Sequence, residues 1–249
     1  MSVESEFDLA GLRAAGKVVA EAIRAMRSAV RPGATTRELD EIGAAVFANY
    51  GARSAPQLAY DFPGVNCISV NDQAVHGVPS ELELVDGDLV KIDVTAELDG
   101  YMADAAVTVG VGNVTPDAAR LVATAERALA RALVVARADM PLNEIGRAVQ
   151  SEVEEAGFFV LPQLGGHGIG RTIHEPPSVP NHFVASDKTI LTDGLVITIE
   201  PIISASTRRC VGPGDDGWTI STADRGLSAH VEHTIVIRTA QDPIVLTAA

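Results

Sequence analysis

The segment Asp86-Gly87-Asp88-Leu89-Val90-Lys91-Ile92-Asp93 returns later in the chain, with one gap, as Asp193-Gly194-Leu195-Val196-Ile197-Thr198-Ile199-Glu200. Each copy starts with an Asp-Gly turn, continues through β-branched residues and ends in a carboxylate, which is typical of a strand that follows a tight turn. The next predicted strands also match, because Asp104 opens one and Glu232 opens the other. The two matched strand pairs indicate that the chain contains one structural unit twice.

Helical patterns precede the first strand pair. Apolar residues recur at helical spacing over residues 8–30, and Asp8 can cap the helix that they predict. A capping-box pattern formed by Thr35 and Glu38 then predicts a second helix, which Gly51 ends.

The second half repeats this order. A helix is predicted from about Pro116 to Ala138, and residues 142–149 match residues 39–46 at six of eight positions. We therefore expect an α+β fold in which a pseudo-twofold axis relates the two copies. Each copy would supply two helices and part of a shared, curved antiparallel sheet that the helices cover.

These matches also predict the domain organisation. Residues 1–249 would form a single catalytic domain made of two related halves, about 8–110 and 116–238. Two copies are too few for a solenoid, which needs at least ~3 repeats.

Charge and hydropathy argue against a nucleic-acid partner, a membrane partner and secretion. The formal net charge is -14, and the 19 Lys and Arg residues form no run, so a nucleic-acid partner is not predicted. No segment is apolar over the ~20 residues that a membrane-spanning helix needs, and no membrane partner is predicted. Residues 1–6 are acidic and polar, unlike a secretory signal. We therefore expect a cytoplasmic protein.

Four carboxylates occupy matched positions on apolar strands: Asp93, Asp104, Glu200 and Glu232. Burying an ionised carboxylate is costly unless it is paired or binds a metal ion. Lys91 is the only basic residue in these segments, and on a strand it would share a face with Asp93, so one ion pair between them is conceivable. The pseudo-twofold axis would bring the four acids together, and two divalent ions would balance their charge.

Histidine adds nitrogen ligands to this candidate site. His167 lies in the glycine-rich stretch 165–170, where glycine lets the backbone pack closely enough for the imidazole to reach an ion. His76 is its counterpart in the first half, and His174 follows seven residues later. Imidazole beside carboxylates suits Zn, Mn, Fe or Co. The histidines interpreted as ordinary core or surface residues are His182 and His230.

Seven short motifs, in order and spacing over about residues 8–238, resemble one known family. They are Cys67-Ile68-Ser69-Val70-Asn71-Asp72, His76-Gly77-Val78-Pro79, Lys91-Ile92-Asp93-Val94, Gly166-His167-Gly168-Ile169-Gly170, Ile199-Glu200-Pro201, Asp216-Gly217-Trp218-Thr219 and Ser228-Ala229-His230-Val231-Glu232-His233-Thr234. The family is that of the type 1 methionine aminopeptidases, which have the pita-bread fold. The resemblance implies a hydrolase that removes the initiator methionine from nascent proteins when the second residue is small.

The resemblance also implies metal-binding roles. Asp93 would hold one ion through both oxygens, Asp104 and Glu232 would bridge two ions, and His167 with Glu200 would complete the second position. The ions would be Co, Mn, Fe, Zn or Ni. Glu200 would also act as the catalytic proton acceptor.

Substrate contacts are implied in the same way. His76 and His174 would act on the substrate peptide near the scissile bond. The methionine pocket would be lined by Phe62, Cys67 and Trp218.

Two further features come from the resemblance. Backbone carbonyls of Asn71, Gln73 and Ser228 would hold a monovalent cation. Ala59 and Ile173 stand where the family often has aromatic residues, which predicts a less aromatic and wider pocket.

Two alternatives stay open at this point. One is a peptidase of the same fold that acts next to proline, and the other is a pita-bread protein that binds proteins without catalysis. The resemblance to methionine aminopeptidases favours peptide N-termini of nascent proteins as the partner, bound at the ribosome. It also favours an enzyme that acts as a monomer.

Overall fold

The computed structural model describes residues 1–248, which contain five helices and fifteen short strands. The helices are α1 (Glu6–Ala29), α2 (Thr36–Tyr50), α3 (Ala55–Tyr60), α4 (Pro116–Val135) and α5 (Asn143–Glu155). The strands are β1 (Arg53–Ser54), β2 (Cys67–Val70), β3 (Gln73–Val75), β4 (Leu89–Leu98), β5 (Tyr101–Gly110), β6 (Phe159–Val160), β7 (Gly165–Gly168), β8 (Glu175–Pro180), β9 (Val196–Ile199), β10 (Ile202–Ser204), β11 (Cys210–Val211), β12 (Ile220–Thr222), β13 (Ser228–His230), β14 (His233–Val236) and β15 (Ile244–Val245).

The start of α1 differs from the prediction. Ser5, and not Asp8, is the N-cap, because the Ser5 hydroxyl accepts a hydrogen bond from the Asp8 backbone N–H. The Asp8 carboxylate instead accepts from the Ser5 hydroxyl and from the Glu4 backbone. Asp8 therefore lies in the first turn, where a negative charge also favours the helix.

The ends of α2 and α4 show how local residues set helix length. In α2 the capping box of Thr35 and Glu38 is present, and Gly51 ends the helix in the left-handed region with φ 67°; both predictions are confirmed. α4 ends at Val135, three residues before the predicted Ala138. At the next residue the backbone leaves the helical region, with φ -76° and ψ 75°.

The strands pair antiparallel wherever they pair within residues 1–248. The first half is built on β4 and β5, which pair along their full length, and β2 pairs with the other edge of β4. The second half is built on β9, which pairs with β14 and β7. Helices and antiparallel sheets together confirm the α+β class, while the division into two related halves stays a prediction.

Two large hydrophobic cores and one small cluster at β3 and β10 hold these elements. One lies between α1, α2 and the β2–β4–β5 strands, and the other between α4, α5 and strands that include β9, β13 and β14. The Glu232 backbone N–H donates to the Ala106 carbonyl on β5 at 2.9 Å, so the segment between β13 and β14 contacts β5 beside the predicted acids. Among helices in residues 1–248, none has the combination of length and hydrophobicity that crossing a bilayer requires.

Candidate metal centre and substrate cavity

The four predicted acids lie on or next to strands of the two predicted halves. Asp93 lies on β4 and Asp104 on β5, and the β4–β5 register places Asp104 opposite Thr95, two residues from Asp93. Glu200 follows β9 directly, and Glu232 lies between β13 and β14. Asp104, Glu200 and Glu232 are buried, so these charges are largely shielded from water.

His167 completes this cluster from β7. Its Nε2 lies 3.6 Å from Oε1 of Glu200 and 4.0 Å from Oδ2 of Asp104. Its Nδ1 lies 2.9 Å from the Gly168 carbonyl oxygen, to which it donates in the neutral tautomer. That hydrogen bond leaves the Nε2 lone pair directed towards the acids, the usual arrangement of a metal-binding imidazole.

Hydrogen bonds fix the supporting backbone. The Thr198 hydroxyl donates to Oε1 of Glu200 at 3.0 Å and accepts from the His167 backbone N–H at 3.0 Å. The Asn181 amide donates to the Glu200 carbonyl at 2.8 Å. Thr234 exchanges hydrogen bonds with the Asp104 backbone at 2.7 and 2.8 Å. Thr198 on β9, Thr234 on β14 and Asn181 directly after β8 thus hold the backbone or side chains of His167, Asp104 and Glu200.

The electrostatics of the cluster call for a positive charge. Burial raises the pKa of Asp104 to about 7 and the pKa of Glu200 to about 8. Burial and the neighbouring acids also hold the pKa values of Asp93 and Glu232 well above their usual range. Burial, aided by His174, lowers the pKa of His167 to about 4, which keeps the imidazole neutral.

Several ligand atoms in the cluster lack partners. Oδ1 of Asp104 and Oε1 of Glu232 are buried without a hydrogen bond within the described chain. Single ligand atoms of Asp104, His167 and Glu232 lie within 4.8 Å of one another. Carboxylate oxygens and a neutral imidazole at this spacing fit a divalent metal ion, so the donor set suits the predicted cofactor class.

All ten side chains predicted to act in the site line one cavity of about 220 Å³. They are Phe62, Cys67, His76, Asp93, Asp104, His167, His174, Glu200, Trp218 and Glu232. Ile173 lines the same cavity and is buried, whereas Ala59 is not among its lining residues. The individual roles of these residues remain predictions.

The apolar wall of the cavity is aromatic. The rings of Phe62 and Trp218 meet edge to face, with centroids 5.2 Å apart at 87°. Phe62 and Cys67 are buried, and burial, with the acids Asp93 and Asp104 nearby, raises the pKa of the Cys67 thiol well above its usual value. A neutral thiol and two aromatic rings form a surface suited to an apolar side chain.

The two predicted substrate histidines are accessible in this cavity. His76 follows β3 with φ 58°, and desolvation by the surrounding protein lowers its pKa. The His174 ring meets that of His167 edge to face, with centroids 4.2 Å apart at 62°. The sequence did not predict Tyr60, whose hydroxyl lies 2.5 Å from Nδ1 of His174 and which also lines the cavity.

His230 corrects the interpretation drawn from the sequence. It lines the cavity, and its Nε2 lies 3.6 Å from Oε2 of Glu200 and 3.5 Å from Oε2 of Glu232. Neither ring nitrogen has a hydrogen-bond partner in residues 1–248. Burial lowers its pKa to about 3, with His76 and Lys91 contributing. His230 is therefore a neutral imidazole beside the acids of the candidate metal centre, while His182 lies outside the cavity.

Lys91 does not pair with Asp93, because the Lys91 side chain is directed away from the four acids. The Lys91 ammonium donates to the Asn71 carbonyl at 2.7 Å and reaches the Ser228 carbonyl at 3.5 Å. The side chain is 1% exposed. Burial lowers its pKa to about 7, opposed by Asp72 and Asp88. The conceivable ion pair is thus absent between these two residues, and Lys91 does not neutralise the four acids.

Comparisons with known proteins place this site in context. The profile of metallopeptidase family M24 matches residues 10–239. The chain is 43% identical over 249 residues to methionine aminopeptidase 2 of Bacillus subtilis, with 99% of each sequence covered. The structure of methionine aminopeptidase from Rickettsia prowazekii superposes with a TM-score of 0.94 at 35% identity over 100% of both chains. Prolidase from Pyrococcus furiosus has a TM-score of 0.78 at 24% identity, over 99% of this chain and 65% of that one.

Proposed function

The chain belongs to metallopeptidase family M24, and on this premise we propose that it removes the N-terminal methionine from new proteins when the second residue is small. Similarity to methionine aminopeptidases over the whole length supports both this activity and the pita-bread fold that the motifs predict. The observation that carries the proposal is one cavity lined both by the acid and histidine cluster and by the Phe62–Trp218 pair.

Divalent metal binding follows from the family and from the donor set. The finer proposal is two ions per chain, drawn from Co, Mn, Fe, Zn and Ni, and held by Asp93, Asp104, His167, Glu200 and Glu232. Two ions balance four carboxylates, whereas one leaves excess negative charge in a buried cluster. When bound, the ions supply a water of lowered pKa and polarise the carbonyl of the scissile peptide bond.

Glu200 is the residue that we assign to proton transfer. The Thr198 hydroxyl donates to its carboxylate and the Asn181 amide to its backbone carbonyl, and both bonds hold Glu200 at the cavity wall. It accepts the proton of the attacking water and passes it to the leaving amine.

The cavity walls select and orient the substrate. The thioether of methionine packs against the edges of Phe62 and Trp218, beside the neutral thiol of Cys67. His174 donates from Nε2 to the substrate carbonyl, and Tyr60 fixes its ring through Nδ1. His76 donates near the scissile nitrogen. These contacts place the first residue of the peptide inside the cavity and the second at its mouth.

The partner and the location follow from the substrate. A nascent chain exposes its initiator methionine at the ribosome in the cytoplasm, and we place the enzyme there. We also propose that the enzyme acts as a monomer.

The activity is tested with a Met-Ala-Ser peptide on protein loaded with Mn²⁺ or Co²⁺. The wild type should release methionine, and His167→Ala should lose about 10²-fold or more in rate, since loss of a ligand weakens the metal centre. His182→Ala, outside the cavity, is the matched control. Full activity of His167→Ala would overturn the proposed site. An Ala-Pro dipeptide should not be cleaved, and preferential cleavage of it would favour the proline-directed alternative.

A further inference from the structure

Lys91 is a buried cation that the proposed chemistry does not use. It lies on β4, two residues from the metal-binding Asp93, but its ammonium is directed to the Asn71 carbonyl at 2.7 Å and the Ser228 carbonyl at 3.5 Å. Asn71 lies in the turn between β2 and β3 and has φ 53°. Ser228 is the first residue of β13. The ammonium therefore joins a left-handed turn of the first half to a strand of the second half.

The same carbonyls are those on which the family resemblance predicts a monovalent cation. The third, that of Gln73, accepts from the Ser228 hydroxyl at 3.2 Å. The Asn71 carbonyl already accepts from the Ser228 hydroxyl at 2.8 Å, in addition to the ammonium. A bound Na⁺ or K⁺ would have to share these oxygens with a positive charge at contact distance. The residues present thus do not fit a monovalent ion.

Nearby acids do not draw the ammonium away. Asp72 pairs with Arg225 at 2.9 Å, and Asp88 accepts from the Asn71 amide at 2.8 Å. Within residues 1–248, no carboxylate forms an ion pair with Lys91. The ammonium is held by backbone carbonyls, which is how proteins coordinate monovalent cations.

We propose that the Lys91 ammonium takes the place of a monovalent cation and clamps the Asn71 turn onto β13. This turn leads through β3 to His76, and β13 leads to His230 and Glu232, so the clamp positions residues on both sides of the cavity. Because activity is one readout, the proposal rests in part on the proposed function. We therefore expect that neither Na⁺ nor K⁺ changes the stability or the turnover of the protein.

The test compares chloride salts of Na⁺, K⁺ and tetramethylammonium at equal ionic strength. The melting temperature of metal-loaded wild type should be the same in all three salts. Lys91→Asn removes the ammonium but leaves the carbonyls, so Na⁺ or K⁺ at ten times its dissociation constant should raise the melting temperature of this variant by about 3–6 °C. Line broadening of ²³Na⁺ by the variant, and not by the wild type, is a direct binding readout. Lys17→Met, at an exposed lysine with 65% side-chain exposure, is the control.

Each result decides the proposal. Stabilisation of the wild type by Na⁺ or K⁺ relative to tetramethylammonium would overturn it, and this measurement stands even where Lys91→Asn does not fold. A folded Lys91→Asn protein that binds no Na⁺ and gains no stability from either ion would also overturn it. Methionine release from Met-Ala-Ser, measured in the same salts, should follow the melting temperatures. An inactive wild type with the expected melting behaviour would refute the proposed function and leave the clamp intact.

Discussion

Removing the metal should make the stability of the protein depend on pH in a specific direction. In the metal-free site, burial raises the pKa of Asp104 from 3.8 to about 7 and the pKa of Glu200 from 4.5 to about 8. Above pH 6 the unfolded chain has already lost both protons, whereas the folded protein keeps them until pH 7–8. The folded state therefore binds more protons, and its stability falls as the pH rises through these values.

The magnitude follows from these two groups. Since one pKa unit corresponds to about 1.4 kcal/mol, Glu200 lowers the free energy of unfolding by about 2 kcal/mol and Asp104 by about 1 kcal/mol between pH 6.5 and 8.5. Bound metal keeps both carboxylates ionised and removes this dependence. Lys91, whose pKa is lowered to about 7, titrates with the opposite sign. It does so with and without metal, so the difference between the two forms isolates the carboxylates.

The assay is thermal unfolding of Mn²⁺-saturated and chelator-stripped protein at pH 6.5 and 8.5. For a chain of this size, about 3 kcal/mol corresponds to about 6–12 °C, so the gap in melting temperature should widen by that amount at the higher pH. Glu200→Gln should remove the larger part of the widening. A gap that stays constant between the two pH values would refute the assignment of these acids to a metal centre.

Three substitutions test individual residues. Glu200→Gln should lower kcat on Met-Ala-Ser by about 10²–10⁴-fold at saturating metal, because the proton acceptor is lost. Glu144→Gln on α5 is the matched control. An unchanged kcat in Glu200→Gln would exclude the assigned role. Phe62→Ala should lower the free energy of unfolding by about 3–5 kcal/mol in a urea titration and reduce the preference for methionine over leucine; an unaltered preference would place the methionine pocket elsewhere. Tyr60→Phe removes one hydrogen bond to His174, so kcat/KM should fall about five-fold while the melting temperature stays unchanged. A rate equal to that of the wild type would show that this bond does not orient the His174 ring.

The acids of the site could be predicted because the two halves of the sequence match, and the acids occupy equivalent positions in both. Asp93 and Glu200 end matching apolar strands, and Asp104 and Glu232 open the strands that follow. A buried carboxylate without a cationic neighbour in sequence is a strong signal, since its burial needs compensation. The end of α2 at Gly51 was predictable for a similar reason, because a left-handed residue favours glycine.

The remaining features depend on three-dimensional packing. His230 and Tyr60 carry no periodic or spacing signal, and only the fold directs their rings into the cavity. Strand geometry makes an ion pair between Lys91 and Asp93 conceivable, but the partners of Lys91 are the backbone carbonyls of Asn71 and Ser228. Because every residue has a backbone carbonyl, the sequence does not indicate which carbonyls bind the ammonium. Asp8 was misplaced for a local reason, since Ser5 three residues earlier is an equally good cap.

The most direct measurement of the metal centre is an anomalous difference map from crystals of the protein grown with Mn²⁺. We expect two peaks, ~3.5–4 Å apart as in other two-metal hydrolytic sites, enclosed by Asp93, Asp104, His167, Glu200 and Glu232. A map with no peak among these five side chains under saturating Mn²⁺, or with peaks only elsewhere on the chain, would contradict the proposal that the acids of the two halves converge to bind a pair of ions.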